Sequence, residues 1–280
     1  MAKPAIDKGP RVACGGLRMR GIVATSTPGQ PLVTVITSIF NGREHVGGCI
    51  ESVLRQEYPN LEHILVDGGS RDGTVEILRQ YDDRVALWKS EPDSGIYDAW
   101  NKGLKEARGE WICFVGVDDE LLPEAVCRYM QLAARHPDAE YLSSRIHVIH
   151  PSGYVKVLGG PWSWPRFSRI MCTPHVGAMH HRRLFERLGA YDTSYQIVAD
   201  YELLLRARDT LRTAYMPNVT ALMRAGGVGS SPASQRETAR AKIETGGRNR
   251  LMTEVDLAWE RILYPLRPPV RWMLRNFSGR

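Results

Sequence analysis

The sequence lacks any long apolar run, since no stretch approaches the roughly 18 uncharged apolar residues that a membrane-spanning helix needs. Residues 1–30 also lack the continuous apolar segment of a secretory signal and instead mix five basic side chains with glycine, proline and threonine. We therefore predict a chain that is not integral to the membrane, with a disordered basic leader over residues 1–30.

Cysteine pairs and the common phosphate-binding loops are also missing. The five cysteines form no CxxC pair, and an odd, scattered set is a poor disulfide framework, which favours the reducing cytoplasm. There is no GxGxxG after a strand and no GxxxxGK[ST], so dinucleotide oxidoreductases and P-loop NTPases are excluded. No nucleic-acid reader motif is present, and we expect no nucleic-acid partner.

The net charge of +6 is concentrated at the two ends of the chain. Residues 1–30 carry five basic and one acidic side chain, and residues 236–280 carry ten and five, which leaves the middle mildly acidic. We predict a basic amphipathic tail over residues 226–280, where Trp259, Tyr264, Trp272 and Phe277 are interleaved with Arg261, Arg267, Arg271 and Arg275. Such a tail suits peripheral contact with an anionic membrane at the inner face of the cell membrane; a solvated tail, or packing on the domain, is the alternative.

Strand and helix patterns alternate over the first part of the chain. Four short runs rich in β-branched and aromatic residues predict buried strands: Pro31–Ser38, Leu61–Val66, Val85–Trp88 and Trp111–Val117. Helical spacing follows Asn41 and Glu44, which resemble a capping box, and again follows Thr74 and Ile96. This alternation predicts an α/β fold with a mostly parallel central sheet and helices on both faces, over residues 31–225.

Polar side chains stand where these predicted strands end. Ligands of parallel sheets bind at the carboxyl ends of strands, and Ser38, Asp67, Asp118 and Asp119 fall there. Two adjacent carboxylates repel each other unless a cation lies between them, and Mg²⁺ or Mn²⁺ bound to a diphosphate would supply one. The alternative is that Asp118 or Asp119 caps a helix that begins near Leu121.

Three motifs, read in order, resemble the family 2 glycosyltransferases with the GT-A (nucleotide-diphospho-sugar transferase) fold. They are PLVTVITSIFNGREHVGGCIESVLRQEYPNLEHILVDGGSRDGT, EPDSGIYDAWNKGLKEARGEWICFVGVDDEL and VADYELLLR. Within the family the chain is similar to the branch that builds bacterial O-antigens, exopolysaccharides and glycolipids. The resemblance covers about residues 31–225, and it implies a nucleotide-sugar half over 31–120 and an acceptor half over 121–225.

The resemblance also implies roles for individual residues. It places Ser38, Phe40, Asp67, Asp93, Lys102, Asp118 and His175 at the nucleotide diphosphate-sugar donor, and Asp118 and Asp119 at the metal, with the last two exchangeable. Two positions depart from the family pattern: Gly68 replaces a common base-binding Asp, and Gly116 replaces the first Asp of the metal motif. The sugar and the nucleotide therefore stay open. From the residues alone, Asp98 and Lys102 are equally explained as an i,i+4 ion pair.

Asp200 matches the residue that serves the family as general base, with Glu202 next in line. An ordinary Asp is ionised at pH 7, and the alternative for Asp200 is a helix N-cap. Help for the leaving group would come from the metal and from Lys102, Arg182 or Arg183. The resemblance thus implies an inverting transfer from a nucleotide diphosphate-sugar to a glycan or lipid-linked acceptor. A donor-binding but inactive scaffold is the alternative function.

Overall fold

The computed structural model describes residues 12–226 and 231–263, through which one ten-stranded sheet runs. The strands are β1 Ala13–Gly15, β2 Val33–Ile39, β3 Leu61–Asp67, β4 Leu87–Ser90, β5 Trp111–Gly116, β6 Glu120–Leu121, β7 Tyr141–Ile149, β8 Val155–Leu158, β9 Met179–His181 and β10 Thr213–Arg224. The helices are α1 Val46–Leu54, α2 Thr74–Arg79, α3 Ile96–Glu106, α4 Ala125–Arg135, α5 Trp164–Phe167, α6 Arg182–Leu188, α7 Ala199–Ala207, α8 Pro232–Glu244 and α9 Arg250–Leu263. The predicted α/β architecture is confirmed.

Four parallel strands form the regular part of the sheet, in the order β4-β3-β2-β5. All seven residues of β2 are buried, as expected for a strand with a helical layer on each face. Three of the four predicted strands match closely, while the third begins at Leu87 rather than Val85. The site expected at the carboxyl ends of these strands therefore lies on a regular edge.

Helices cover both faces of the sheet and enclose two large apolar cores. On one face α3 packs close to β2, because a Cβ at Gly103 would lie 2.5 Å from Ile36 Cγ2. The other core contains the α1 residue Cys49 and much of α4 against β2 and β5. The buried residues of α3 are Tyr97, Ala99, Trp100 and Gly103, and the two aromatic ones join a buried cluster. Ile96, the first residue of the helix, is exposed.

The second part of the sheet continues from β5 in the order β9-β7-β10-β6, with β8 added to β7. Here β9 pairs antiparallel with both β5 and β7, while β10 runs parallel to β7. The short strand β6 pairs antiparallel with β10 and returns the chain from the end of β5 to that strand. The acceptor half predicted from sequence is thus built on mixed strand pairing.

The prediction of a disordered leader is wrong for residues 12–30. Residues Ala13–Gly15 extend the sheet by pairing antiparallel with β4, and a short 3₁₀ helix follows over Leu17–Arg20. Arg18 then forms an ion pair with the buried Glu62 of β3 and donates to the Glu106 carbonyl at 2.7 Å. A buried carboxylate needs such a partner, so this segment completes the sheet edge. Residues 1–11 lie outside the described part of the chain.

The predicted capping box is also wrong. Helix α1 begins at Val46 without a side-chain cap, and Asn41 instead adopts a left-handed backbone conformation with φ of 48°. Asn tolerates this conformation better than most residues. Its side chain is used elsewhere, in the contact between two loops described below.

The predicted tail boundary at residue 226 also needs correction. Helix α8 packs on α7, and α9 packs on α8, so residues 231–263 add a helical layer beside α7. The aromatic residues on which the membrane prediction rests begin at Trp259 and lie outside the side chains that the structure describes. Among the described helices, none is both long enough and apolar enough to cross a bilayer. The five cysteines are free, as predicted.

Candidate active site

The carboxyl ends of the four parallel strands meet along one edge. In the strand register Ile39 lies opposite Asp67, Asp67 opposite Ser90, and Ser38 opposite Gly116. The loops that leave these strands therefore start side by side. The structure brings together the residues that the sequence predicted at strand ends.

The first two of these loops are joined by hydrogen bonds. Ser70 Oγ accepts from the Asn41 N–H at 2.7 Å, and Asn41 Oδ1 accepts from the Arg71 N–H at 3.0 Å. Asp72 accepts from the Arg43 N–H at 3.0 Å, which adds a further tie. This network explains the left-handed Asn41. It also fixes Phe40, whose ring is 66% exposed, beside the nearly buried Ser38.

Asp67 is fully buried, and its carboxylate is saturated by internal donors. Oδ2 accepts from the N–H groups of Gly69 and Ser70 at 3.1 and 3.0 Å and from Ser90 Oγ at 2.6 Å. Oδ1 accepts from Ser70 Oγ. Both oxygens already accept bonds and the residue is fully buried, so a direct contact with a ligand would require this loop to rearrange. Asp67 shapes the loop in this structure.

Asp93 lies next to Gly68, the position at which the chain departs from the family pattern. A Cβ at residue 68 would lie only 2.5 Å from Asp93 Oδ2, so the carboxylate of Asp93 lies in the space that a side chain at 68 would enter. Asp93 Oδ1 accepts from the Gly95 N–H at 3.0 Å, and partial burial raises the pKa of Asp93. The glycine at 68 is thus explained by the carboxylate that enters from the neighbouring loop.

Lys102 supports the loop that carries Asp93. Its ammonium group donates to the Pro92 carbonyl at 2.8 Å and lies 3.2 Å from Glu91 and 3.6 Å from Asp98. The ion-pair interpretation is therefore the one that the geometry supports. A direct contact between Lys102 and a donor stays a prediction.

Asp118 and Asp119 converge over Gly116 at the end of β5. A Cβ at 116 would lie 2.8 Å from Asp119 Oδ2 and 3.2 Å from Asp118 Oδ1, so a glycine leaves room for both carboxylates. Asp119 is buried and Asp118 is exposed. Burial, and then the charge of Asp118, raise the pKa of Asp119 to about 7. The backbone N–H of Arg224 donates to Asp119 Oδ1 at 3.3 Å.

The helix-cap alternative for this pair is wrong. The chain forms β6 directly after Asp119, and α4 begins only at Ala125 with Glu124 before it. Two carboxylates with oxygens near one point, one of them reluctant to ionise, fit a divalent cation that takes its other ligands from water and phosphate. Within residues 12–226 and 231–263, no group of three or more His, Cys, Asp or Glu could hold a metal. A cation at Asp118 and Asp119 would therefore take its remaining ligands from water and from the phosphates of a bound molecule.

Asp200 is the second residue of α7 and does not cap that helix. The N-cap position is Val198, and no side-chain cap bond is formed there. Asp200 is partly exposed, and its Oδ1 lies 3.0 Å from the hydroxyl of Tyr97. Partial burial raises the pKa of Asp200 to about 6, above the ordinary value expected from the sequence. A carboxylate with a pKa nearer neutrality is a better proton acceptor at pH 7.

Glu202, the second candidate for the base, is committed to the fold. Both of its oxygens lie 3.0 Å from Arg206 Nε, and Thr245 Oγ1 donates to Oε1 at 2.8 Å. Glu202 is also buried. It is therefore an internal ion-pair partner, and Asp200 is the carboxylate of this helix that reaches the surface.

Arg182 and Arg183 were wrong as candidates for stabilising a leaving group. The backbone of Arg182 pairs with Glu110, just before β5, and its guanidinium donates to the Ala107 carbonyl at 2.7 Å. Arg183 donates to the Ala139 carbonyl at 2.7 Å. Both lie at the amino end of β5, opposite the strand ends that carry Asp118 and Asp119. Arg224, at the end of β10, is the arginine beside that pair.

His175 is buried in the aromatic cluster under α3, with only 6% of its surface exposed. Its Nε2 lies 3.3 Å from the Tyr191 hydroxyl, and its ring stacks on Phe114 at 5.2 Å between centroids. Burial lowers the pKa of His175 to about 3, so the ring is neutral. The expected contact of His175 with the donor is not supported by this position, which is that of a packing residue.

The loop that carries Asp93 and the start of α3 connect the strand-end edge to α7. A Cβ at Gly95 would lie 2.9 Å from Gln196 Oε1, so the loop that carries Asp93 touches the segment that leads into α7. Tyr97, at the start of α3, then reaches Asp200 itself. The edge and the carboxylate therefore lie on neighbouring parts of the fold, and the cleft is the space between them.

Three residues at this cleft were missed by the sequence analysis: Tyr97, Arg224 and Glu237. Each reaches the cleft across a long separation in the chain, as in the bond of 2.8 Å between Glu237 and the Ile197 N–H. Tyr97 contacts Asp200 only because two distant helices pack together, and Arg224 ends a strand whose partner was unknown. No local motif marks any of the three.

Comparison with known proteins gives consistent results. The sequence profile of Glycosyl transferase family 2 matches residues 34–186. The uncharacterized glycosyltransferase Rv1514c of Mycobacterium tuberculosis is 34% identical over 182 residues, covering 63% of this chain and 69% of the relative. The PGL/p-HBAD biosynthesis glycosyltransferase Rv2957 of the same species is 26% identical over 259 residues, covering 88% and 99%.

A solved structure shares the fold. The mannosyltransferase PcManGT from Pyrobaculum calidifontis, in complex with GDP-Man and Mn²⁺, superposes with a TM-score of 0.58 at 19% identity. The match covers 81% of this chain and 70% of that chain. The GT-A fold expected from the sequence is thereby confirmed. Asp200 and Glu237 lie beyond the residues that the family profile matches.

Proposed function

Since this chain belongs to glycosyl transferase family 2, we propose that it moves a sugar from a nucleotide diphosphate-sugar to a hydroxyl group of a glycan or lipid-linked acceptor, with inversion. The observation that carries this proposal is the contact between the loop of Asp93 and the segment before Asp200, which puts carboxylates of two kinds on neighbouring parts of the fold. The Asp118 and Asp119 pair lies at the strand-end edge, and the isolated, partly exposed Asp200 lies across the Gly95 contact. The relative named for PGL/p-HBAD biosynthesis supports an acceptor in cell-envelope glycolipid or glycan assembly.

On this proposal the strand-end edge binds the donor. Asp119 and Asp118 would hold Mn²⁺ or Mg²⁺, which when bound supplies positive charge against the diphosphate. PcManGT, which shares the fold, is described with GDP-Man and Mn²⁺. Asp93, in the space beside Gly68, faces the part of the edge where the nucleoside would lie, with Phe40 and Ser38 on the neighbouring loop. Asp67 contributes through the loop that it holds.

Asp200 would then act as the general base. It takes the proton of the acceptor hydroxyl as the acceptor oxygen bonds to the anomeric carbon and the bond from that carbon to the diphosphate oxygen breaks. The pKa of about 6 leaves Asp200 mostly ionised at pH 7 and makes it a stronger base than an exposed Asp. Because attack and departure occur on opposite faces of the sugar, one such step inverts the anomeric configuration.

Replacing the base tests this assignment. We expect Asp200→Asn to bind donor normally and to transfer sugar roughly 10²–10⁴-fold more slowly, the range for loss of a positioned base. Asp209→Asn is a matched control, because Asp209 is exposed just beyond the same helix. Transfer by Asp200→Asn at a near-normal rate would show that the base lies elsewhere.

The inactive-scaffold alternative makes a different prediction for the wild-type protein. An enzyme should release free nucleotide diphosphate when it is given donor, acceptor and Mn²⁺. A scaffold should bind the donor but form no free nucleotide diphosphate. A panel of UDP-, GDP- and dTDP-sugars would identify the donor in the same assay. Donor binding that chelator leaves unchanged would contradict the metal assignment.

A further inference from the structure

The backbone N–H and carbonyl groups of Ile197 are both held by side chains of distant helices. On one side, the carboxylate of Glu237 in α8 accepts from the Ile197 N–H at 2.8 Å. On the other side, the hydroxyl of Tyr97 in α3 lies 2.7 Å from the Ile197 carbonyl oxygen and 3.0 Å from Asp200 Oδ1. Ile197 is three residues before Asp200, so these contacts fix the chain just ahead of the proposed base.

Glu237 holds three successive N–H groups rather than one. Besides Ile197, its carboxylate accepts from the Gln196 N–H at 2.9 and 3.1 Å and from the Val198 N–H at 3.3 Å. Successive N–H groups that converge on one point form a concave anion-binding surface, which a carboxylate fills well. Helix α7 has no side-chain N-cap of its own, so its entry depends on this distant group.

We infer that Glu237 and Tyr97 are positioning residues that clamp the 196–198 segment and so aim Asp200 at the acceptor hydroxyl. This inference rests on the proposed function of Asp200 as general base. A displacement of about 1 Å at a reacting group can cost on the order of 10²-fold in rate. The clamp would therefore influence the transfer step and leave the strand-end edge, where the donor would bind, unaffected.

The clamp also gives α8 a role in the reaction. Glu237 lies outside the family profile match of residues 34–186 and in the region that the sequence analysis treated as a tail. Helix α8 packs on α7 and supplies the Glu237 carboxylate that holds the 196–198 segment, so the unit that carries out transfer extends past residue 226.

Steady-state kinetics with the full chain test the clamp. We expect Glu237→Ala to lower kcat by roughly 10- to 100-fold while the donor KM stays within about twofold of wild type. The kcat of Glu237→Gln should lie between those of the wild type and Glu237→Ala. The amide oxygen of glutamine can still accept N–H bonds, whereas its NH₂ group cannot. Glu244→Ala is the matched control, since Glu244 is exposed two turns along the same helix and pairs with Arg240.

Tyr97→Phe supplies a readout that general destabilisation would not move. The Tyr97 hydroxyl bond lowers the pKa of Asp200, so its loss should move the acid limb of the kcat/KM pH profile upward from about 6. Tyr141 and Tyr191 also interact electrostatically with this carboxylate, and burial raises their pKa values, so they stay neutral. Tyr58→Phe, which loses a hydroxyl bond to the Pro31 carbonyl far from the cleft, is the control and should leave the limb in place.

The outcomes separate the clamp from the assignment of the base. Wild-type kcat in Glu237→Ala, together with an unmoved acid limb in Tyr97→Phe, would overturn the clamp while Asp200→Asn stays slow. If Glu237→Ala does not fold, as judged by its melting curve, wild-type kcat in Glu237→Gln overturns the clamp instead. Normal transfer by Asp200→Asn would show that the proposed base is wrong, whatever the other variants do.

Discussion

The two sides of the cleft are built in different ways. On the strand-end edge, Asp67, Asp118 and Asp119 lie at or just beyond the ends of parallel strands, and the register of the sheet brings those ends together. On the other side, Asp200 is aimed by groups from α3 and α8, which lie about 100 residues before it and about 40 after it. Donor binding should therefore tolerate changes in the rest of the fold, and transfer should depend on them.

The largest effect on the strand-end edge is expected from Asp119→Ala. Removal of the buried carboxylate should lower donor affinity in the presence of Mn²⁺ roughly 10²-fold, to the level that chelator produces in the wild type, because the cation loses one of two protein ligands. Titration calorimetry with the donor nucleotide measures this directly.

Asp118→Ala is the matched control for that comparison. Asp118 is exposed, so we expect a smaller loss of affinity. A larger loss in Asp118→Ala would exchange the roles of the two residues. If neither variant nor chelator changes the affinity, the donor does not bind through a metal at this pair.

A bound cation would favour the ionised form of Asp119, whose pKa is also raised, so at saturating Mn²⁺ a change of pH should act mainly through Asp200. Because the pKa of Asp200 is raised to about 6, the ionised base is lost as pH falls through that value. We expect kcat/KM at saturating Mn²⁺ to fall roughly tenfold for each pH unit below about 6 and to level off above about 7. An acid limb near pH 4 would mean that the transfer step does not use Asp200, the carboxylate whose pKa is raised.

A smaller effect should follow from filling the space at Gly68. Gly68→Ala places a Cβ 2.5 Å from Asp93 Oδ2, and the flexible Asp93 side chain must then move. We expect the donor KM to rise roughly fivefold with kcat nearly unchanged, and Asp93→Ala to do the same. The double variant should be no worse than either single one, because both remove one contact. Additive losses would show that the two positions act separately.

The strand-end edge could be predicted from the sequence to a larger extent than the surroundings of Asp200. The parallel strands and the carboxylates at their ends could be predicted, because a buried strand and its terminal residue are local features and parallel strand ends always share an edge. The contacts of Tyr97 and Arg224 could not, because each depends on which distant elements pack together.

Two sequence-based expectations failed for related reasons. His175 carries a side chain common in active sites, and only the packing of Phe114 and Tyr191 around it shows that it is buried. The basic leader reads as disordered by composition, yet Arg18 pairs with Glu62, whose burial could not be known beforehand. In both cases the deciding quantity was the solvent exposure of a distant partner.

The anomeric configuration of the product tests the central claim most directly. If donor is held at the strand-end edge and Asp200 activates the acceptor across the cleft, transfer proceeds by one displacement. The product should then carry the sugar in the configuration opposite to that of the donor. Anomeric coupling constants in the NMR spectrum of the product, recorded before any equilibration, should show this inversion. A product with retained configuration would contradict the account.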